Sequence, residues 1–269
     1  MRETIYFAHA NSFPATVYRK LLAKLAEHHQ VDYIDAIGHS AHFPVTDCWP
    51  HLVQETLAHL EQRATTPVIG VGHSLGGILL FYAALARPAL FRGLIILDSP
   101  LLSPWRAHSI WLAKKLGFID RITPGGNTLR RRDNWASVQR VYDYFARKPL
   151  FARFDPDCLM DYAEHGTVPN HQGGRQLKFR PQVEHAIYRT LPHDYRRYRG
   201  QLNVPALLIT GQESDVLRPV DVAWLRRHFN MQVSQQAGSH LFPLERPLET
   251  AQSILQGISR LTATTAVVG

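Results

Sequence analysis

Residues 67–80 read PVIGVGHSLGGILL, a short apolar run that halts at Gly72-His73-Ser74-Leu75-Gly76-Gly77 before a second apolar run begins. The pattern predicts a strand, a tight turn carrying Ser74, and a helix. A serine on a sharp, strained turn projects its hydroxyl clear of the backbone, and strand and helix can approach only where side chains are absent. Gly72, Gly76 and Gly77 supply that absence, which makes Ser74 a candidate nucleophile. A Gly-rich strand-to-helix loop with an incidental serine would share the five-residue pattern. The strand before and the helix after it are what favour chemistry.

Upstream, TIYFA at 4–8 is a β-branched and aromatic run that reads as a buried strand, followed by the turn-rich loop His9-Ala10-Asn11-Ser12-Phe13-Pro14. Pro14 suits the first turn of a helix, and Val17, Leu21, Leu22 and Leu25 recur at helical spacing to about His28. VDYIDAIG at 31–38 reads as a second strand, and Leu52, Val53, Leu57 and Leu60 mark one face of a helix from about Trp49 to Arg63. Downstream of Ser74 a helix runs to Pro88, and GLIILD at 93–98 is a fourth strand, apolar enough for a parallel sheet covered on both faces. Regularity then breaks. Helical stretches at 105–116, 134–147 and 156–164 are separated by the loops TPGGN at 123–127 and PNHQGGR at 169–175. Alternation resumes with a strand at 205–211, a helix near 219–229, a strand near 231–235, a loop holding His240 and a last helix near 245–261, the ending TATTAVVG at 262–269 reading as a frayed terminus. The expected architecture is α/β: an open, mostly parallel six-stranded sheet with helices on both faces, built from 1–99 and 203–269, with 100–202 inserted as a mainly helical cap.

A chain of 269 residues with 45% hydrophobic and 19% charged residues reads as a folded protein, long enough for one large core or for one core plus a modest insertion. No apolar run approaches the ~20 residues that cross a bilayer, and the first residues turn polar too early for a signal peptide, so a cytoplasmic location is the expectation. Cys48 and Cys158 are isolated and suggest neither a disulfide framework nor a zinc site. The net charge of +8 is uneven: residues 101–200 hold 18 Lys and Arg against 9 Asp and Glu. No nucleic-acid motif accompanies this basic block, and nucleic-acid binding is not expected.

An open parallel sheet gathers its functional loops at the carboxyl ends of its strands. A serine hydroxyl needs a base within hydrogen-bond reach, and that base needs a partner to fix its tautomer. TGQESDVLRP after the fifth strand offers Asp215, and AGSHLFPLERP after the sixth offers His240. The order nucleophile, acid, base is the one this architecture uses.

With FAHANSFP after the first strand, GHSLGG at the elbow, GQESD after the penultimate strand and GSHLFPLERP before the last helix, the sequence resembles the α/β-hydrolase superfamily over nearly all of its length outside 100–202. The resemblance implies Ser74 as nucleophile, His240 as base and Asp215 as acid. Asp98, in LDSP at the end of the fourth strand, stands where some members carry the acid, and Glu213 is a further neighbour. It also implies an oxyanion hole from the backbone N–H of Leu75 and a second N–H from the loop after the first strand. His9-Ala10-Asn11 replaces the usual His-Gly-x there, so Asn11 is the matching donor and Ser12 a close second. His9, Ser12, His73 and Trp105 are candidate pocket residues. The chain matches the family from its third strand on, consistent with six strands.

The implied activity is that of a cofactor-independent serine hydrolase, without metal, acting on an ester, thioester or related small acyl substrate. Carbon–carbon bond hydrolysis and lactone opening use the same triad and stay open. So does a non-catalytic ligand-binding role on the same scaffold. The insertion is expected to shape substrate choice. Its arginines, among them Arg130-Arg131-Arg132 and Arg196-Arg197, read either as a solvated face or as an attraction for an anionic substrate or surface.

Overall fold

In the computed structural model, which describes residues 2–266, the first third of the chain alternates strand and helix. Thr4–Ala8 (β1) leads through a 3₁₀ turn at Ala15–Tyr18 to Arg19–Ala26 (α1); Gln30–Tyr33 (β2) is followed by Pro50–Arg63 (α2), Val68–His73 (β3) by Leu75–Ala86 (α3), and Phe91–Leu97 (β4) closes the series. The second strand is shorter than the expected 31–38, because the chain turns away after Tyr33 to begin the long loop to α2. The helix expected from Pro14 opens as a 3₁₀ turn.

The insertion holds Pro104–Lys115 (α4), the single turns Ile119–Ile122 (α5) and Gly125–Thr128 (α6), Asn134–Trp135 (β5), Val138–Ala146 (α7), Pro156–His165 (α8), Thr167–Pro169 (β6), Arg175–Leu177 (β7) and Pro181–Arg189 (α9). β5, β7 and β6 form a three-stranded antiparallel sheet. Strands of two or three residues are too short to show a period of two, and this sheet was not expected from the sequence. The helix expected from residue 134 starts instead at Val138, where the Ser137 hydroxyl caps it by accepting from Arg140 N–H at 3.2 Å. Ala206–Gly211 (β8), Pro219–Phe229 (α10), Gln232–Gln236 (β9), the short turn Phe242–Glu245 (α11) and Pro247–Ala266 (α12) complete the fold. α12 thus enters the expected frayed end, whose last three residues lie outside the described ones.

The main sheet has six parallel strands in the order β2-β1-β3-β4-β8-β9. Its two faces follow from the alternation of strand side chains. Tyr6, Ala8, Leu94 and Ile96 face a cluster with α2, α3 and α10, while Ile5, Phe7, Ile95 and Leu97 face a second cluster with α1 and α12. The insertion has no apolar core separate from these two. Ala107, Ile110 and Ile187 join the first cluster, and Val141, Phe145, Leu159 and Tyr162 join the second, so it saddles both sides of the sheet.

Register sets the site. Ala8 lies opposite Gly72, His73 opposite Leu97, and Leu97 opposite Ile209. The ends of β1, β3, β4 and β8 are therefore level, and the loops that leave them meet along one edge.

Candidate active site

Ser74 stands between β3 and α3 with φ 53° and ψ −112°, a conformation that L-residues rarely adopt. Two neighbours make the turn possible. A Cβ on Gly76 would overlap the Ala8 carbonyl, and one on Gly72 would come within 2.5 Å of the Gly77 nitrogen. Ser74 N–H donates to the Leu97 carbonyl at 3.0 Å, which fastens the elbow to β4.

His240, in the loop after β9, faces the serine: its Nε2 is 3.1 Å from Ser74 Oγ. Its Nδ1 is 2.7 Å from Asp98 Oδ2. A carboxylate only accepts, so Nδ1 carries the proton and Nε2 is left as the acceptor for the serine hydroxyl. Asp98 is fully buried, sits one residue past β4 at φ 43°, and is held from three sides. Its N–H donates to Ile209 O at 2.8 Å, its Oδ1 accepts from Gly211 N–H at 3.2 Å, and its Oδ2 accepts from the Ser214 hydroxyl at 2.5 Å.

The carboxylate beside His240 is thus Asp98 and not Asp215, which corrects the assignment preferred from sequence. Asp215 lies exposed, four residues beyond the end of β8. Asp98 follows directly on β4, the strand adjacent to the elbow. The GQESD loop contributes instead through Gly211 and Ser214, which orient Asp98. Glu213 is also turned away, its carboxylate pairing with Arg153 at 2.8 and 2.9 Å.

The loop after β1 reaches the elbow from the other side. The His9 carbonyl accepts from Gly76 N–H at 3.1 Å. The His9 ring lies beneath the loop and not in a pocket: Nδ1–H donates to Ala10 O at 2.8 Å and Nε2 accepts from Ile37 N–H at 2.9 Å. Burial holds its pKa down to about 4, so the ring is neutral. Among the described residues, neither the Leu75 N–H nor the Asn11 N–H has a protein acceptor. Leu75 is the first residue of α3, where unpaired N–H groups and the helix dipole favour negative charge. Ser12 follows with φ 76°.

His73 precedes the nucleophile and is buried. Its Nε2–H donates to the His240 carbonyl at 2.9 Å, which leaves Nδ1 to accept from the Tyr18 hydroxyl at 2.8 Å. That hydroxyl in turn accepts from Ala10 N–H at 3.4 Å. One chain of hydrogen bonds so links the β1 loop, β3 and the loop of His240. Burial, with the nearby His240, pushes the His73 pKa well below the usual imidazole value, in keeping with this neutral tautomer. The sequence carried no signal for Tyr18, which reads simply as a core aromatic, nor for Glu245, which braces the histidine loop by accepting from Ser239 N–H at 2.9 Å and the Ser239 hydroxyl at 2.5 Å. Trp105 is 85% exposed near the start of α4, whose inward face is Ala107, Ile110 and Ala113; it lines no buried pocket.

Both cysteines are free. Donor atoms of Asp47, Cys48 and His193 lie within 4.8 Å of one another, but the Lys114 ammonium already sits among them. It pairs with Asp47, donates to His193 Nδ1 at 3.0 Å and to Leu191 O at 3.1 Å, and so supplies the cation of that cluster. No helix among the described residues is long and apolar enough to cross a membrane.

A parallel sheet with a serine elbow, a facing histidine and a braced carboxylate defines a class, and the family comparison agrees: the sequence model of the alpha/beta hydrolase family matches residues 5–253, so the chain belongs to that family. It is a hydrolase of the α/β type. Among curated proteins it is 26% identical to the abhydrolase domain-containing protein AFT2-1 of Alternaria alternata, over 72% of this chain and 84% of that one. It is also 31% identical to the type I acyl-CoA thioesterase mpaH of Penicillium brevicompactum, over 40% of this chain and 23% of that protein. Among solved structures it resembles E-2-(acetamidomethylene)succinate hydrolase with a TM-score of 0.77 at 19% identity, covering 96% of this chain and 91% of the other. The thioesterase domain from the curacin biosynthetic pathway is similar with a TM-score of 0.71 at 19% identity, covering 94% and 91%.

Proposed function

We propose that the protein is a serine hydrolase that cleaves an ester or thioester through an acyl-enzyme on Ser74, with His240 as base and Asp98 as the acid. The observation that carries this is the run of contacts from Ser74 Oγ to His240 Nε2 at 3.1 Å and from His240 Nδ1 to Asp98 at 2.7 Å. As Ser74 Oγ bonds to the substrate carbonyl carbon, its proton passes to His240 Nε2 and the carbonyl electron pair moves onto oxygen. Asp98 stabilises the imidazolium that forms. The N–H groups of Leu75 and Asn11 receive the oxyanion. Collapse of the intermediate breaks the bond to the leaving group, which takes the proton from Nε2. A water, deprotonated by His240, then attacks the acyl-enzyme and returns Ser74 with a free acid as product. The names of the two thioesterase relatives support including thioesters among the substrates.

Treatment with a fluorophosphonate tests this reading. One equivalent is expected on Ser74, with none on the Ser74→Ala variant, which should lose at least ~10³ in kcat on p-nitrophenyl esters. A folded protein that stays unlabelled yet binds small acids would favour a ligand-binding role instead.

A further inference from the structure

Many cations of the insertion are answered by a carboxylate: Arg106 by Asp221, Lys114 by Asp47, Arg131 by Glu184 and Arg153 by Glu213. Arg132, Arg140, Arg147 and Lys148 are not, and among the described residues none of the four has an ion pair. These four, with Trp135 and Tyr144, line one surface hollow of about 350 Å³. Its single acid is Asp143. That carboxylate stands one helical turn from both Arg140 and Arg147, yet it accepts from Gln139 Nδ-side amide nitrogen Nε2 at 2.8 Å and pairs with neither arginine.

The cations are gathered by the fold. Helical spacing puts Arg140, Tyr144, Arg147 and Lys148 on one face of α7 and the residues that follow it. The Arg132 guanidinium lies over the rings of Trp135 and Tyr144, 5.8 and 5.6 Å from their centroids, and the Lys148 ammonium lies over Tyr144 at 4.6 Å. Arg132 Nε donates to Asn134 O at 2.8 Å, which fixes the direction of its outer nitrogens. Four positive charges outweigh Asp143 and the partial negative charge, about half a unit, at the C-terminal end of α7. Like charges around one concavity focus a positive potential into it and attract an anion. A carboxylate answers one of them. Linked phosphates carry several charges on oxygens that point in different directions, and the arginine fork takes phosphate oxygens two at a time. A hollow of this size admits a small molecule and not a bilayer surface or a duplex. Beside it lies a second hollow of about 350 Å³, for which Arg132 and Trp135 are the common wall. Apart from Arg132 it is uncharged, and the amides of Asn134, Asn170 and Gln172 line it. Amides offer both donors and acceptors, which suits the edge of a base and the hydroxyls of a sugar.

We infer that the insertion carries a nucleotide site: linked phosphates held by Arg132, Arg140, Arg147 and Lys148, with the nucleoside across Arg132 beside Asn134, Asn170 and Gln172. Ser74 lines neither hollow, so the site is distinct from the proposed acyl-transfer centre and does not depend on it. The protein supplies the cations itself, and binding needs no divalent metal.

Calorimetric titration of the whole protein with ADP, UDP, AMP and inorganic pyrophosphate, in EDTA at low ionic strength, tests this. ADP or UDP is expected to bind, with AMP and pyrophosphate each at least ~10-fold weaker. Arg140 and Arg147 are exposed and unpaired, so the double variant Arg140→Gln with Arg147→Gln should keep its urea midpoint and bind the diphosphate at least ~10-fold more weakly. The control is Arg226→Gln with Arg227→Gln, which removes the same charge from an exposed stretch of α10 and should change the affinity less than about threefold. Gln172→Ala should bring the nucleotide towards the affinity of pyrophosphate. No binding of either diphosphate at millimolar concentration overturns the inference, and so do equal losses in the two arginine double variants, which would reduce the effect to net charge. Pyrophosphate binding as tightly as ADP and UDP removes the nucleoside and with it the nucleotide assignment. A single-stranded oligonucleotide or vesicles containing phosphatidylserine provide the last comparison. Tighter binding of either, lost in the Arg140 and Arg147 double variant, would assign the patch to a nucleic acid or a membrane surface and overturn the proposal.

Discussion

At the scale of single residues, the proposed reaction depends on which carboxylate fixes the His240 tautomer. Asp98 reaches Nδ1 at 2.7 Å, is buried, and is itself oriented by Gly211 N–H and the Ser214 hydroxyl. Replacing Asp98 by Asn puts an amide where the imidazole N–H must donate, which favours the wrong tautomer; kcat is expected to fall by roughly 10³–10⁴. Asp215→Asn alters an exposed side chain and is expected to leave kcat within about twofold. Steady-state kinetics on one p-nitrophenyl ester compares the two, and loss confined to Asp215→Asn would refute the assignment. Ser74 and His240 were legible in the sequence because each sits in a short, distinctive pattern at the end of a predicted strand. The acid was less so. LDSP and GQESD both place carboxylates after apolar strands, and only the three-dimensional register, with β4 beside the elbow and Asp215 four residues past β8, separates them.

At the scale of elements, the site is held where three loops share one hydrogen-bond chain, from Ala10 N–H through the Tyr18 hydroxyl and His73 to the His240 carbonyl. Tyr18 touches no reacting atom in the proposed mechanism and is a positioning residue. Tyr18→Phe keeps the ring against Phe7 but leaves His73 Nδ1 and Ala10 N–H without this partner. The expected outcome is a stability loss of about 1–3 kcal/mol and a roughly tenfold fall in kcat with KM little changed. Urea unfolding and separate kcat and KM values check this; a loss of stability with kcat intact would reduce Tyr18 to a packing role. The βα units were readable from apolar runs and their punctuation, with strand and helix limits close to those observed for β3, α3, β8 and α10. The three-stranded sheet of the insertion was not, because its strands have only two or three residues and one of its two pairings, Trp135 with Arg175, joins residues far apart in sequence.

At the scale of the whole molecule, the insertion and the sheet share their apolar clusters, so unfolding is expected as one cooperative transition and not as loss of a cap followed by the core. That single transition carries a signature of buried neutral histidine. Burial depresses the His9 pKa from 6.5 to about 4, whereas the unfolded chain restores the ordinary value. Between those limits the unfolded state binds more protons, so stability falls as pH falls. His9 leaves stability undiminished above about pH 6.5, and the loss, on the order of 3 kcal/mol, is complete near pH 4. His73 acts with the same sign, whereas Glu55 and Glu184, whose pKa values burial raises, act oppositely from the carboxylate range upward. Comparison with His9→Gln isolates the His9 share. Gln retains an acceptor for Ile37 N–H but does not titrate, and urea midpoints for the variant should decline less than those of the wild type between pH 7 and pH 5. Parallel declines would mean that His9 takes up a proton in the native state as readily as in the unfolded one, leaving its Nε2 unable to accept from Ile37 N–H.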